Sequence, residues 1–438
     1  MRISSRPTPL PSKSAPPAPA TVASARAPSA TTLRREPEQA VAFSQEFHAR
    51  LDLPPARLEE KLALMRERPS SFFRMMPALF HADLKGPFAA EARLVDRPAP
   101  RILVVGDAHV GNLGTFRGPD GKPVWGLNDF DQAGRGSPEV DLTRMATSAV
   151  LTARESGLSA KEQDAVVAAF ADAYFSTLAS LAGGKQNPGA FLTKKEAKGK
   201  VDDLIRDAND TSREELVKKH ARVKGPDAAS FRTSDTLKSV SPEKQREVRA
   251  ALTDALGALK GRQDIALPPR VLDVAQRLDA GGSSYGLERY WVLARAVDPK
   301  APPVLLELKE LLAPSVEASP MPADASAVVD AQRRLSGHTN PLTGATRMAG
   351  RAFLLREVEP EKAKLQDGAL TGKKDLVSVF TQAGQTLARA HGATQAQAQK
   401  LEAWVGADEA QATRRLSAFA RTYADQVRAD WSALRDAA

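Results

Sequence analysis

The first residues whose types and spacing predict chemistry lie between positions 106 and 131. Asp107 and Asn112 are five residues apart in residues 106–112, which read Gly-Asp-Ala-His-Val-Gly-Asn. Asp129 comes seventeen residues after Asn112, in residues 128–131, which read Asn-Asp-Phe-Asp. An aspartate with an asparagine five positions on, followed by an Asp-Phe turn, is the arrangement that Mg²⁺-dependent phosphoryl transfer uses. The two clusters therefore predict a kinase-like active site in which carboxylates converge on one cation.

The elements that flank these clusters are predicted to be short strands. Residues 102–105 are apolar and β-branched, and residues 122–127 are also strand-like. Between them, residues 119–121 read Pro-Asp-Gly, which is a strong turn signal. Residues 102–128 are therefore predicted to form a hairpin with one acidic cluster at each end.

A second set of residues, about 170 positions after Asn112, could bind phosphate. A glycine-rich stretch allows backbone N–H groups to approach phosphate closely. The strand predicted over 304–310 carries Lys309, and the helix predicted over 323–335 carries Asp330. In kinases a strand lysine neutralises the phosphates and is paired with an acid on the next helix. The predicted nucleotide-binding residues are Gly281, Gly282, Ser283, Ser284, Gly286, Lys309 and Asp330, with Lys309 also expected to be catalytic.

The order of these motifs is reversed relative to ordinary kinases, in which the phosphate loop and the lysine precede the catalytic loop. Here residues 106–112 come first. Residues 387–391 read Leu-Ala-Arg-Ala-His and resemble the helix that normally leads into the catalytic loop. A circular permutation, with the usual order cut just before Ile102, would explain this order and is physically mild when chain termini lie close together.

The predicted fold class is α+β: a two-lobed, protein-kinase-like fold, circularly permuted, with a mostly helical large lobe and a small antiparallel-sheet lobe. Residues 185–265 are polar and helix-prone and carry no decodable chemistry. The predicted divisions are a disordered basic tail (1–36), a helical lobe with the catalytic loop and metal-binding turn (37–270), a β-rich nucleotide-binding lobe (271–360) and helices that complete the helical lobe (361–438).

Composition excludes several classes of function. The 438 residues include no cysteine, which rules out disulfides, thiolate catalysis and cysteine-ligated zinc. The formal charge is +9, but residues 1–35 contain six basic and no acidic residues, so nucleic acid is not the expected partner. No long apolar run predicts a membrane span. A cytoplasmic location is expected, with export by a non-Sec route as the alternative reading of the basic tail.

Taken together, the motifs resemble a bacterial family known as domain of unknown function 2252. The resemblance covers roughly residues 58–395 and includes both acidic clusters, the glycine-rich stretch and residues 139–144. It implies a relationship to protein kinases, close in local pattern to aminoglycoside phosphotransferases. It also implies ATP and Mg²⁺ as cofactors, with an unidentified hydroxyl-bearing acceptor.

The resemblance also implies roles for individual residues. Asp107 matches the aspartate that accepts the proton of the acceptor hydroxyl, and Asp141 is expected to orient its loop. The implied metal ligands are Asn112, Asp129 and Asp131, the last of which replaces the glycine of the usual Asp-Phe-Gly turn. Arg74 matches a family segment without an assigned role.

Two other functions are compatible with these residues. Ser283 stands where the middle glycine of the loop is expected, and Asp330 is shorter than the usual glutamate, which suits a nucleotide-binding scaffold without catalysis. Asp107 and His109 also fit a metal-dependent phosphoesterase. A phosphoesterase site needs further His or carboxylate ligands for its metal ions. The six histidines form no paired motif; they lie at positions 48, 81, 109, 220, 338 and 391.

Overall fold

The computed structural model describes residues 33–225, 227–259, 264–278, 280–316, 322–366 and 368–437, so most of the predicted tail lies outside the described residues. The helices are α1 (Pro37–Ala49), α2 (Pro55–Arg66), α3 (Pro69–Met75), α4 (Pro77–Lys85), α5 (Pro138–Glu155), α6 (Ala160–Ala182), α7 (Lys200–Asn209), α8 (Arg213–His220), α9 (Pro242–Gly257), α10 (Ala325–Ser336), α11 (Lys373–His391), α12 (Gln395–Val405) and α13 (Glu409–Asp436). The strands are β1 (Ile102–Val104), β2 (Leu113–Arg117), β3 (Pro123–Leu127), β4 (Gly134–Gly136), β5 (Phe191–Leu192), β6 (Ala221–Gly225), β7 (Ala228–Phe231), β8 (Leu237–Ser239), β9 (Val271–Arg277), β10 (Arg289–Ala294), β11 (Val304–Glu310), β12 (Gly344–Met348) and β13 (Arg351–Glu357). The fold class is α+β, as predicted.

The helices α5, α6, α11 and α13 pack together and carry a large part of the larger core. Several helices begin at residues that favour a helix start. The Ser137 hydroxyl accepts a hydrogen bond from the Glu139 N–H at the start of α5, and α1 to α4 each begin with proline. In the described part of the chain, α6 alone is long and apolar enough to span a membrane, but 56% of its apolar window is buried. Burial against α5, α11 and α12 makes α6 a core helix.

A six-stranded antiparallel sheet forms the second structural centre. Its strand order is β12-β13-β11-β10-β9-β8, so β11 and β10 lie in the middle. All seven residues of β11 are buried, which agrees with its central place. Helix α9 packs against β12, and α10 contacts β12 and β13. Lys309 is therefore carried on a central, fully buried strand.

The hairpin predicted over 102–128 is wrong in one part. β2 and β3 do form an antiparallel hairpin, with Leu113 opposite Leu127. β1 does not pair with either strand but with β4. Because the first acidic cluster directly precedes Leu113 and the second directly follows Leu127, both clusters lie at the same end of the hairpin. The Asn128 N–H donates to the Asn112 carbonyl oxygen at 3.1 Å and joins them.

Residues 185–265 contain more strand than predicted. Helices α7, α8 and α9 are present, but β5 joins the β2–β3 hairpin and β8 extends the six-stranded sheet. The strands β9 and β12 were also missed. The alternation of apolar and polar residues in β6 covers only four residues, and β7 has none.

Candidate active site

One cavity of about 220 Å³ is lined by residues from both acidic clusters, the glycine-rich loop and β11. The predicted site residues that it brings together are Asp107, Asn112, Asp129, Gly281, Gly282, Ser283, Ser284 and Lys309. Asp131 lies beside the cavity and contacts Lys309. Gly286 and Asp330 are outside its wall. The motifs that are separated by about 170 positions in the sequence therefore meet at one place.

The polar side chains of residues 106–112 are linked by hydrogen bonds. The Asn112 amide Nδ2 donates to the Asp107 carbonyl oxygen at 3.0 Å and to its Oδ2 at 3.3 Å. On the other side, the Arg144 Nε donates to Asp107 Oδ1 at 2.5 Å. Burial alone would raise the pKa of Asp107, but Arg144 and His109 outweigh it and place that pKa well below its usual range. Asp107 is therefore ionised at neutral pH.

Asp141 fixes the backbone just before Asp107, as the resemblance implied. Its two carboxylate oxygens accept from the N–H groups of Val105 at 2.7 Å and Gly106 at 2.8 Å. His391, the last residue of α11, contacts Asp141 through Nε2 at 2.9 Å. Gly106 must be glycine, because its φ is +78° and a Cβ there would lie 2.0 Å from the Gln132 carbonyl oxygen.

Arg144 is a site residue that sequence reasoning did not select. It is fully buried, donates to the Phe73 carbonyl oxygen at 3.1 Å and lies over the rings of Phe73 and Phe80. Arg144 follows Asp141 by three positions in α5, so the two side chains share one helix face. The three-residue spacing of Asp141 and Arg144 is the sequence feature from which the role of Arg144 could have been predicted. His109 Nε2 lies 3.7 Å from Asp107 Oδ2.

Lys309 is paired with the acids of the second cluster. Its Nζ contacts Asp131 and lies 3.5 Å from Asp129 Oδ2. Burial opposes ionisation of Asp129, yet Lys309, Lys364 and Arg356 together place its pKa well below the usual range. Burial and the neighbouring Asp129 carboxylate raise the pKa of Asp131. The ammonium group of Lys309 therefore lies close to two adjacent carboxylates.

The predicted pairing of Lys309 with Asp330 is not present. Asp330 is exposed and lies 3.4 Å from Arg334 on the same helix. The face of α10 that packs inward carries Val328, Ala331 and Leu335, and Asp330 falls on the opposite side. The acid that contacts Lys309 comes from residues 128–131 instead.

The glycine-rich loop is held by α2. The buried Lys61 donates to the Ser283 carbonyl oxygen at 2.6 Å, and the Tyr285 hydroxyl donates to Glu60 at 3.0 Å. Gly281 has φ +117°, and a Cβ there would lie 2.9 Å from the Ser284 hydroxyl, so glycine is required at the start of the loop. Gly286 packs against Leu53, which explains its position outside the cavity.

Two further cations come from the strands beside β11. In the sheet register Arg289 lies opposite Lys309, and Arg356 lies opposite Glu307. The buried Glu307 accepts from Arg289 Nη1 at 3.1 Å and from Arg356 Nε at 2.7 Å. Burial opposes the ionised form of Glu307, but these arginines place its pKa well below the usual range. Glu307 therefore orients two arginines that line the cavity.

The segment after β13 adds two lysines to the same cavity. Lys364 Nζ donates to the Gly111 carbonyl oxygen at 2.8 Å, and the backbone of Ala363 exchanges hydrogen bonds with Thr115. Burial lowers the pKa of Lys364 to about 8, with neighbouring cations acting in the same direction. Burial, Arg356 and Lys364 lower the pKa of Lys362 to about 7. No local sequence pattern indicates that these lysines reach the site.

The acidic side chains suit magnesium in combination with phosphate. Among the residues that the structure describes, no three His, Asp or Glu side chains gather closely enough to hold a metal ion alone. Mg²⁺ does not need such a cage, because it usually takes one or two carboxylates together with phosphate oxygens and water. Asp129 and Asp131, with the Asn112 amide nearby, fit that requirement once a phosphate chain is bound.

Comparison with known proteins identifies a family for this chain. Residues 53–437 match the family described as uncharacterized protein conserved in bacteria (DUF2252). No curated protein and no solved structure matches the chain. The family match spans the glycine-rich loop, both acidic clusters and the six-stranded sheet, and it extends further in both directions than the motifs alone indicated. The chain therefore belongs to this bacterial family, DUF2252.

Proposed function

We propose that the protein is a kinase-like phosphotransferase that uses Mg-ATP and acts on a hydroxyl-bearing acceptor. The observation that carries the proposal is the single cavity lined by Asp107, Asn112, Asp129, Lys309 and the glycine-rich loop. These are the groups that phosphoryl transfer requires: a residue that receives the acceptor, metal ligands, and donors for the phosphates.

The strand order supports a kinase-like, circularly permuted fold as part of this proposal. From β9 the chain passes through the glycine-rich loop to β10, then to β11 with Lys309, then to α10. Kinases likewise carry the lysine on the third strand, before a helix. At the end of α11, His391 contacts Asp141, which in turn bonds the start of the catalytic loop. The end of α11 thus lies beside the loop that would follow it in the usual order.

In the proposed reaction the acceptor oxygen attacks the terminal phosphorus, and the bond from that phosphorus to the bridging oxygen breaks. The acceptor proton passes to Asp107. Because the pKa of Asp107 is so low, its main contribution is to orient the acceptor hydroxyl, with proton transfer late in a loose transition state. Bound Mg²⁺ would neutralise charge between the phosphates, while Lys309 and the loop N–H groups position them.

The test is Mg²⁺-dependent ATP binding by Asp129→Asn, measured by calorimetry beside the wild type. Loss of a metal ligand should reduce Mg-ATP affinity by at least about tenfold, or about 1.4 kcal/mol. Asp330→Asn is the matched control, since it makes the same chemical change at an exposed carboxylate on α10. Unchanged Mg-ATP affinity in Asp129→Asn would contradict the proposal.

A nucleotide-binding scaffold without transfer is the second candidate, favoured by one observation. Both groups expected to act on substrates are already paired: Asp107 with Arg144, and Lys309 with Asp131. Single-turnover incubation with γ-labelled ATP separates the two functions. Slow release of labelled phosphate to water, abolished by Asp107→Asn, supports the phosphotransferase. Tight Mg-ATP binding with no ADP formed supports the scaffold.

A further inference from the structure

The wall of the site cavity carries an excess of positive charge. Its cationic side chains are Arg74, Arg289, Lys309, Arg356, Lys362 and Lys364. Among the described residues, two carboxylates line the cavity with them, and Asp131 and Glu307 contact the cations from outside it. Six cationic side chains and two carboxylates therefore line the cavity. A ligand with several phosphate groups would supply the missing negative charge.

Lys362 shows the excess of positive charge most clearly. Within the described part of the chain its ammonium group has no hydrogen-bonded carboxylate. Its charged neighbours are Arg356 and Lys364, which lower its pKa, and Glu307 and Glu359, which raise it without outweighing burial. Burial and these two cations lower its pKa to about 7. A charged lysine at this position raises the free energy of the ligand-free protein, and a bound polyanion would remove that cost.

Two residues that line the cavity carry buried polar atoms without partners. In the described structure, the Asn128 Oδ1 and Nδ2 and the His109 Nδ1 are buried without a hydrogen-bond partner. Both residues line the cavity. Buried polar groups nearly always have partners, so these atoms add to the polar character of the residues around the cavity.

The cavity offers no surface for a nucleotide base. Of the described residues that line it, none has an aliphatic, Phe, Tyr or Trp side chain. Leu127, Val328 and Leu354 are close by, but they line a neighbouring cavity of only about 50 Å³. A benzene ring binds in an apolar cavity of about 150 Å³, which is about three times the volume of this neighbouring cavity. The apolar side chains Phe73 and Leu151 line a separate pocket, which borders the catalytic loop at Gly111 rather than the glycine-rich loop.

We infer that the site recognises its donor by the triphosphate chain and not by the base, so that ATP, GTP and inorganic triphosphate bind alike. This inference rests on the proposed function, because it concerns the same cavity and the same donor. The inference extends the proposed function by naming the group that is recognised, which is a magnesium-bound chain of phosphates. The base of a nucleotide donor lies outside the cationic wall.

The direct test is calorimetric titration of the full chain with ATP, GTP, CTP and inorganic triphosphate, each with Mg²⁺ at one pH. The expected dissociation constants agree within about threefold, which corresponds to less than about 0.7 kcal/mol. ATP binding that is tenfold or more tighter than GTP and inorganic triphosphate would overturn the inference and leave the proposed function intact. Absence of binding by all four would overturn both.

Lys362→Gln provides a second test with two readouts of opposite sign. Removing a buried, unpaired charge should raise the thermal midpoint of the ligand-free protein. The same change should weaken ATP and inorganic triphosphate by one common factor, roughly tenfold, since the lost contact is to phosphate. The control is Lys238→Gln, at an exposed lysine. A loss for ATP without an equal loss for inorganic triphosphate would contradict the inference.

Discussion

Replacement of Arg144 by methionine tests how the catalytic loop is held together. Arg144 is fully buried, donates to Asp107 at 2.5 Å and donates to the Phe73 carbonyl oxygen at 3.1 Å. Methionine keeps much of the apolar stem but leaves the buried Asp107 carboxylate without its cation. Breaking a buried ion pair from one side costs about 3–5 kcal/mol. We expect Arg144→Met to lose that much stability in urea unfolding at pH 8.

The loss should depend on pH in a defined direction. In the wild type the pKa of Asp107 is depressed, so its contribution to stability is present above the unfolded pKa of about 4 and is lost only as pH falls through the lower folded value. Without Arg144, burial raises the folded pKa of Asp107 instead. The protonated form then becomes accessible as pH falls, and the stability difference between wild type and variant should be smaller at pH 5 than at pH 8.

A double-mutant cycle isolates the pair. Asp107→Asn combined with Arg144→Met leaves no buried charge, and we expect it to recover about 2 kcal/mol or more relative to Arg144→Met alone. Arg334→Met, at an exposed arginine, is the control and should change stability by less than about 0.5 kcal/mol. An equal stability loss at pH 5 and pH 8, or no recovery in the double variant, would refute the reasoning.

Two other substitutions test the remaining parts of the site. Lys61→Met removes the hydrogen bond to the Ser283 carbonyl oxygen, so the glycine-rich loop should loosen and Mg-ATP affinity, measured by calorimetry, should fall by roughly tenfold. Because burial lowers the pKa of Lys61 to about 8, we expect little or no loss of stability in thermal unfolding. Unchanged affinity would contradict a role for α2 in positioning the loop. Asp131→Asn should weaken Mg-ATP binding by about tenfold or more, because this carboxylate contacts Lys309 and lies next to Asp129. Equal effects of Asp131→Asn and Asp330→Asn on the affinity would show that residues 128–131 have no specific role in Mg-ATP binding.

Local chemistry and local structure could be predicted from the sequence where short-range physics decides them. The five-residue spacing of Asp107 and Asn112, the turn before β3 and the helices of the C-terminal region are all encoded within a few residues of each other. The contact of Asp141 with the catalytic loop was also predicted, but only through the resemblance, since residues 105 and 141 are far apart in the chain.

Partner choice at the site depended on long-range packing. Lys309 was assigned to Asp330, but the side of α10 that packs inward was set by Val328, Ala331 and Leu335. Arg289 and Arg356 reach the cavity because the sheet register places them opposite Lys309 and Glu307, and register is fixed by pairing along the whole sheet. No window of sequence contains that information.

The sequence by itself determined which chemical groups this protein has and how the nearest of them are spaced, because hydrogen bonds and turns over a few residues fix that spacing. Only the tertiary structure decided which of them meet. It placed both acidic clusters at one end of the β2–β3 hairpin, brought Lys364 into contact with Gly111 and placed Lys362 in the wall of the same cavity. The hairpin register is set by pairing of β2 with β3, and the contact of Lys364 with Gly111 joins positions 253 apart, so no local pattern could predict either.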